Sequence, residues 1–293
     1  WASSYYLPAV LADPVAASLG VSRVWFFGAF SAALLLMGVL GPALGRHIDA
    51  RGGRRTLMAS NGVLAAGLVA LAAAQGPASL ALAWVALGAG MALGLYEAAF
   101  ATLAHLYGGR ARLPITGITL MAGFASTLGW PLTAALEHAM GWRGACLAWA
   151  ALHLAIGLPL NALLPRRPAP ADATGGATRE GTATDTGAAA ATGDCPRASG
   201  ATGGDADGDR SEGAEPAARV AAGVRAGRRA MIIVAGVFAA VSFVSTAMAA
   251  HLPRLLQETG ATAAVAIAAA SLVGPAQVAA RFVEFAIARR FAP

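Results

Sequence analysis

VWFFGAFSAALLLMGVLGPALGRHIDARGGRRTLMASNGVLAAGLVALAAA, residues 24–74, sets the fold. Its two ends, 24–45 and 56–74, are apolar runs, and the stretch between them carries Arg46, Arg51, Arg54 and Arg55. Each run comes close to the ~20 residues that a helix needs to cross a bilayer. In hydrocarbon the backbone must satisfy its own hydrogen bonds, which a helix does within one segment. The stretch therefore predicts two membrane helices joined by a short basic turn.

The same signal recurs on either side. Apolar segments cover 1–17, 80–106, 115–139, 143–164, 230–256 and 261–287, the first interrupted by Asp13 and Pro14. The whole chain of 293 residues is 57% hydrophobic and 12% charged, with a mean hydropathy of +0.61. Soluble domains carry about 25% charged residues. The expectation is an all-α, polytopic membrane bundle with about eight transmembrane helices.

Every one of the 21 basic residues is Arg. Without Lys there is no P-loop lysine for nucleotide phosphates, so an ATP-driven motor is excluded. Schiff-base chemistry is excluded as well. Cys146 and Cys195 make no metal-ligand spacing, and no metal or cofactor is expected. Residues 165–228 are different material, rich in Ala, Thr, Gly and Asp and lacking aromatics. They cannot bury enough surface to offset their ordering entropy and read as a disordered linker. From Arg166 to Arg229 nine Arg and nine acidic residues cancel, so the net +6 lies in the rest of the chain.

That excess marks topology, not nucleic-acid binding. Arg46, Arg51, Arg54, Arg55, Arg110, Arg112, Arg166, Arg167, Arg228, Arg229, Arg289 and Arg290 all fall on alternate turns, whereas the other turns hold Arg23, Arg143 and Arg254, one each. The Arg-rich side should be cytoplasmic, the linker included. The division expected is a six-helix bundle over 1–164 with its first helix truncated, the linker at 165–228, and two helices opening a second bundle over 229–293. Gly274-Pro275-Ala276 followed by Arg281 and Glu284 loosely repeats Gly41-Pro42-Ala43 followed by Arg46 and Asp49. Repeated halves are a construction principle of transporters. On that logic about eight helices of an expected twelve are present, and the chain is expected to be a fragment.

These features resemble the major facilitator superfamily of secondary transporters. GRHIDARGGRR, Gly45 to Arg55, is similar to the cytoplasmic signature of that family in Gly45, Asp49, Gly52, Arg54 and Arg55. Ala50 and Gly53 occupy positions that are often basic there. Gly141-Trp142-Arg143 is similar to a common family turn, and the linker falls where the family joins its two halves. The resemblance implies that the 45–55 loop is a charge-relay latch for the outward-facing state; a purely topological role for its charges is the alternative. GFASTLGWPL, Gly123 to Leu132, together with Arg281 resembles monocarboxylate-type and organic-anion permeases, although Gln277 stands where they have Asp.

Candidate residues for substrate and proton follow. Glu97 is a carboxylate inside a span, where ionisable groups mark function by default. Gly90, Gly94, Glu97, Ala101 and His105 recur at helical spacing and should share one packed face. Glu97 either couples protons or contacts substrate, or is simply hydrogen-bonded near the helix end. Gln277, Arg281 and Glu284 form a polar stripe. Arg281 can grip a carboxylate in bidentate fashion or pair within the helix with Glu284. Tyr5 and Tyr96 either line a cavity or anchor at the interface. Gly123 and Thr127 read as helix packing. Neither a His-Glu-x-x-His motif nor a Gly-x-Ser-x-Gly elbow occurs, so an enzyme is not expected. The function expected is secondary transport of a small organic solute, a carboxylate among the candidates, by alternating access. Protons are the expected coupling ion, the protein is expected to be monomeric, and a bacterial inner or plasma membrane is its expected site. Drug or metabolite efflux, a linker-based scaffold and a broken permease are the rival readings.

Overall fold

The computed structural model describes residues 1–165 and 214–291, with side chains left out at 214–232, 234, 235, 238, 281 and 284–291. The disorder expected of the linker therefore falls, for the most part, outside the described residues. Two units are distinguished, Trp1–Ala169 with Ser245–Pro293, and Pro170–Val244. Of the second, only the helix from residue 214 onward falls within the described residues.

The first unit opens with α1 (Pro8–Leu19), α2 (Arg23–Arg51), α3 (Arg54–Ala72), α4 (Pro77–Gly94) and α5 (Tyr96–Tyr107). Each boundary has a local cause. Pro stands in the first turn of α1 and of α4, where its missing N–H costs nothing. Ser22 caps α2 by accepting from the Trp25 backbone N–H at 3.2 Å, satisfying one orphan donor. A 3-10 turn (Gly108–Arg110) then leads into α6 (Arg112–Gly123) and α7 (Ala125–Leu152).

Gly141 interrupts α7 with φ 71 and ψ 172, a backbone state that favours glycine. The chain doubles back there. Trp149 Nε1 donates to Thr133 Oγ1 at 3.1 Å, although 16 residues of straight helix would separate them by about 24 Å. The expected segments 115–139 and 143–164 are thus two arms of one hairpin. A π-helical turn (His153–Gly157) and α8 (Leu158–Ala162) complete the second arm.

Next come α9 (Ala214–Glu258), α10 (Ala263–Ser271) and α11 (Val273–Phe291). The helix α9 begins at Ala214, inside the stretch expected to be linker up to 228. This corrects the sequence reading: AARVAAGVRAGRRAM is built of Ala and Arg, the strongest helix formers, so composition that cannot make a core can still make a helix. Among the described residues six helical stretches are long and apolar enough to cross a membrane, one of them the folded 112–162 hairpin. The short α1 falls below that length.

The core lies where α2, α3 and α4 meet, around Trp84, Phe26, Phe30, Leu64, Leu68 and Leu87, all buried. Gly88 sets how closely α4 approaches α2. A Cβ there would fall 2.6 Å from the Ala33 carbonyl oxygen and 2.9 Å from its Cα, so the two backbones touch, as small residues allow in membrane helices. The GPA repeat does not give equivalent structure. Pro42 sits inside the continuous α2, while α10 and α11 part just before Gly274 and Pro275.

Candidate functional site

Two ends of the bundle differ in chemistry. At one end the lone arginines gather. Arg23 pairs with Asp13 at 2.5 Å, Arg254 lies 4.0 Å from Asp13, and Arg254 also pairs with Glu258 at 3.1 Å. Arg143 donates to Ser18 Oγ at 3.2 Å and to the Ala74 carbonyl at 2.9 Å. The Phe27 and His251 rings lie 4.4 Å apart. These contacts join α1 and α2 to the end of α9.

The opposite end holds the 45–55 loop. Gly52, at φ 78, ends α2 with its N–H on the Ile48 carbonyl at 2.7 Å. Gly53 is buried against Thr102 so closely that any side chain would collide with it. Arg54 donates through Nε at 3.0 Å and Nη2 at 2.6 Å to the carbonyl of Ala162. This reaches the last residue of α8 across more than a hundred positions and closes a helix end whose carbonyls lack partners. Arg55 and Asp49 are exposed and Gly45 is half-buried. Asp49 makes no ion pair among the described residues, despite the four arginines around it in sequence.

Between the ends runs an aromatic wall. Trp1 touches Tyr5 and Tyr96, each with centroids 4.7 Å apart. Tyr5 meets Tyr6 at 5.3 Å, Tyr6 meets Trp130 at 5.4 Å, and Tyr96 stacks on Phe100 at 5.0 Å. Most of these contacts are edge-to-face or tilted, the arrangement ring quadrupoles favour. Tyr5 donates its hydroxyl to Thr246 Oγ1 at 2.6 Å, linking the start of the chain to α9. Tyr5 and Tyr96, read separately from the sequence, thus share one wall.

Glu97 departs from the expected packed face. Gly90 and Gly94 do pack, against Leu64 and Ser60. But the helix breaks at Leu95, where ψ is −162, and the register does not carry through. The buried face of α5 is Ala98, Thr102, Leu103 and Leu106. Glu97 lies off it, exposed, in the first turn of α5 beside Tyr96. A carboxylate is favoured there by the helix dipole. Gln277 is exposed on α11. Arg281 and Glu284 occupy the same helix, but their side chains lie outside the described residues. Gly123 and Thr127 pack as expected: Gly123 faces Val278, and Thr127 Oγ1 donates to the Ser271 carbonyl at 2.9 Å.

A polar network escaped the sequence reading. Asn61 Nδ2 donates to the Leu57 carbonyl at 2.9 Å, which turns Oδ1 toward His153. Nδ1–H of His153 therefore donates to Asn61 Oδ1 at 3.0 Å, and Nε2 accepts from the Ser3 hydroxyl at 2.7 Å. The hydrogen bonds fix this tautomer. The π turn at His153–Gly157 makes room for it, since a side chain on Gly157 would strike Asn61, and π turns are frequent at functional sites. Asn61 alone, a polar residue within an apolar run, was the legible signal. Among the described residues no group of three His, Cys, Asp or Glu could hold a metal ion.

Membrane-length helices, an apolar core in which glycines let helices approach closely, and charges gathered at two ends define a helical, multi-pass membrane protein. Residues 1–293 match the family model described as Major Facilitator Superfamily, and the chain belongs to that superfamily. It is an integral membrane transporter that moves a small solute by secondary transport, and not an enzyme. No match was found among curated proteins or among solved structures.

Proposed function

We propose that the chain carries a small organic solute by alternating access, holding it against the aromatic wall while Glu97 takes up and releases the coupling proton. The observation that carries this reading is the juxtaposition of Tyr96, a member of the wall, with an exposed intramembrane carboxylate at a helix break. The Tyr5–Thr246 hydrogen bond supports it, because the wall then reaches both bundles. The Arg-rich end is cytoplasmic, by the distribution of arginine. About eight spans cross the membrane, with α1 and the residues before it together supplying the first. The protein works as a monomer in a bacterial inner or plasma membrane, and the 45–55 loop acts as a latch through Asp49. Arg281, flanked by Gln277 and Glu284, holds the carboxylate of an anionic substrate.

The test is transport by the full chain in proteoliposomes under an imposed pH gradient, with radiolabelled lactate and benzoate as probes. Glu97→Gln should abolish gradient-driven accumulation yet retain exchange of substrate across the membrane. Arg281→Gln should remove uptake with insertion intact. Accumulation by Glu97→Gln equal to the parent chain sinks the proton assignment. A second reading, efflux of aromatic compounds, is favoured by a wall made of packed aromatic rings. Ethidium extrusion without lactate or benzoate uptake would select it.

A further inference from the structure

At the arginine-rich end a cleft of about 620 Å³ opens between the 45–55 loop, α5 and the end of α8. Its size falls within the roughly 300–1,000 Å³ usual for ligand sites. Arg51, Arg54, Arg55, His47, His105 and Thr102 line it, and none of its lining residues is acidic. Asp49 lies outside the lining, and the first turn of α3 contains no carboxylate. Arg54 is held in place by its two bonds to the Ala162 carbonyl, and its Nη1 makes no hydrogen bond among the described residues. Arg51 and Arg55 are exposed. Topology alone asks only for positive charge in the turn. It does not ask that three guanidiniums converge on one concave space with one of them fixed in place.

The geometry points to a binding site for the phosphoryl headgroup of an anionic phospholipid. Guanidinium is the group suited to phosphate, which it meets with paired N–H donors. The lipid is favoured over a soluble phosphate by depth. The membrane-length stretches Arg23–Arg51 and Arg54–Ala72 meet at the cleft, and Pro77–Arg110 runs out just past His105. A cleft at the ends of membrane helices sits at the level of the headgroups, where basic pockets between helices recruit acidic lipids.

The experiment is native mass spectrometry of the detergent-solubilised full chain with dioctanoyl-phosphatidylglycerol, dioctanoyl-phosphatidylcholine or inorganic phosphate. The parent chain should retain phosphatidylglycerol in preference to phosphatidylcholine. Arg51→Gln with Arg55→Gln should weaken that binding at least about tenfold, the loss expected for one guanidinium–phosphate hydrogen bond. Arg110→Gln with Arg112→Gln, which removes the same charge from the next turn at this end, should leave it unchanged. If the Gln pair at the cleft disturbs insertion, Arg51→Lys with Arg55→Lys keeps the charge and should still weaken binding. Equal binding of the two lipids, equal losses in the two Gln pairs, an unaffected Lys pair, or phosphate binding as tight as the lipid would each overturn the assignment.

Discussion

Replacing Arg54 tests whether the loop end of the bundle is held by a specific bond or only by its charge. The guanidinium gives two N–H donors, at 3.0 and 2.6 Å, to one carbonyl at the end of α8. A hydrogen bond to a charged group contributes about 1.5–3 kcal/mol net. Here both donors share one acceptor, and the site is only part-buried, so the pair is worth about 2–3 kcal/mol rather than twice the single value. Arg54→Gln should therefore raise the local opening of α8 by roughly 30- to 150-fold. Arg54→Lys keeps the charge but has one compact donor group in place of the fork, and should lose about half of that free energy. Hydrogen exchange of the amides in 158–164, measured on the detergent-solubilised chain, reads the opening directly. Unchanged exchange in Arg54→Gln, or a Lys variant as protected as the parent, would refute the reasoning and leave Arg54 a topology marker.

His153→Ala leaves the Ser3 hydroxyl and Asn61 Oδ1 without their shared partner. It should cost about 2–6 kcal/mol, at 1–3 kcal/mol for each of the two stranded groups, seen as lower thermal stability in detergent; no loss would show that the network is not formed. Gly88→Ala pushes a methyl into the Ala33 backbone and should destabilise by about 1–3 kcal/mol. Gly62→Ala on α3 meets nothing within 4 Å and should be neutral or stabilising by up to ~1 kcal/mol; equal effects in a denaturation series would contradict the close approach of α2 and α4. Cys195 should react with a membrane-impermeant maleimide only in inside-out vesicles. Cys146, buried in the core, should not compete, and labelling of right-side-out cells would reverse the proposed orientation.

The spans were legible because hydrocarbon imposes one requirement on every residue of a segment. The runs 24–45, 56–74 and 80–106 fall within α2, within and just beyond α3, and within α4 and α5, respectively. The turn at Gly141 was legible too, since Gly-Trp-Arg punctuates two apolar runs. Less local facts were not. Nothing in GLYEAAF announces that the helix breaks at Leu95, so the periodicity that placed Gly90, Gly94 and Glu97 on one face failed halfway along it. Asp49 stands among arginines in sequence, yet Arg54 spends its donors on a carbonyl over a hundred residues away. The role of His153 was not legible because its partners, Ser3 in the turn before α1 and Asn61 on α3, lie far away in sequence and meet it at a π turn. The helix from Ala214 was hidden by a composition that excludes a core but not a helix.

The break at Leu95 has a mechanical consequence. On one side, α4 is clamped to α2 and α3 through Gly88, Gly90 and Trp84. On the other, α5 is keyed to the basic loop where Thr102 meets Gly53. A continuous rod would transmit any tilt of the loop straight into the Trp84 core. With the rod cut at its middle, a tilt of the lower half need not be carried along one helix axis into the upper half, although both halves still pack on α2 and α3. The joint between the halves is the residue pair Leu95–Tyr96, and Tyr96 is itself part of the aromatic wall, so the break and the wall share a residue.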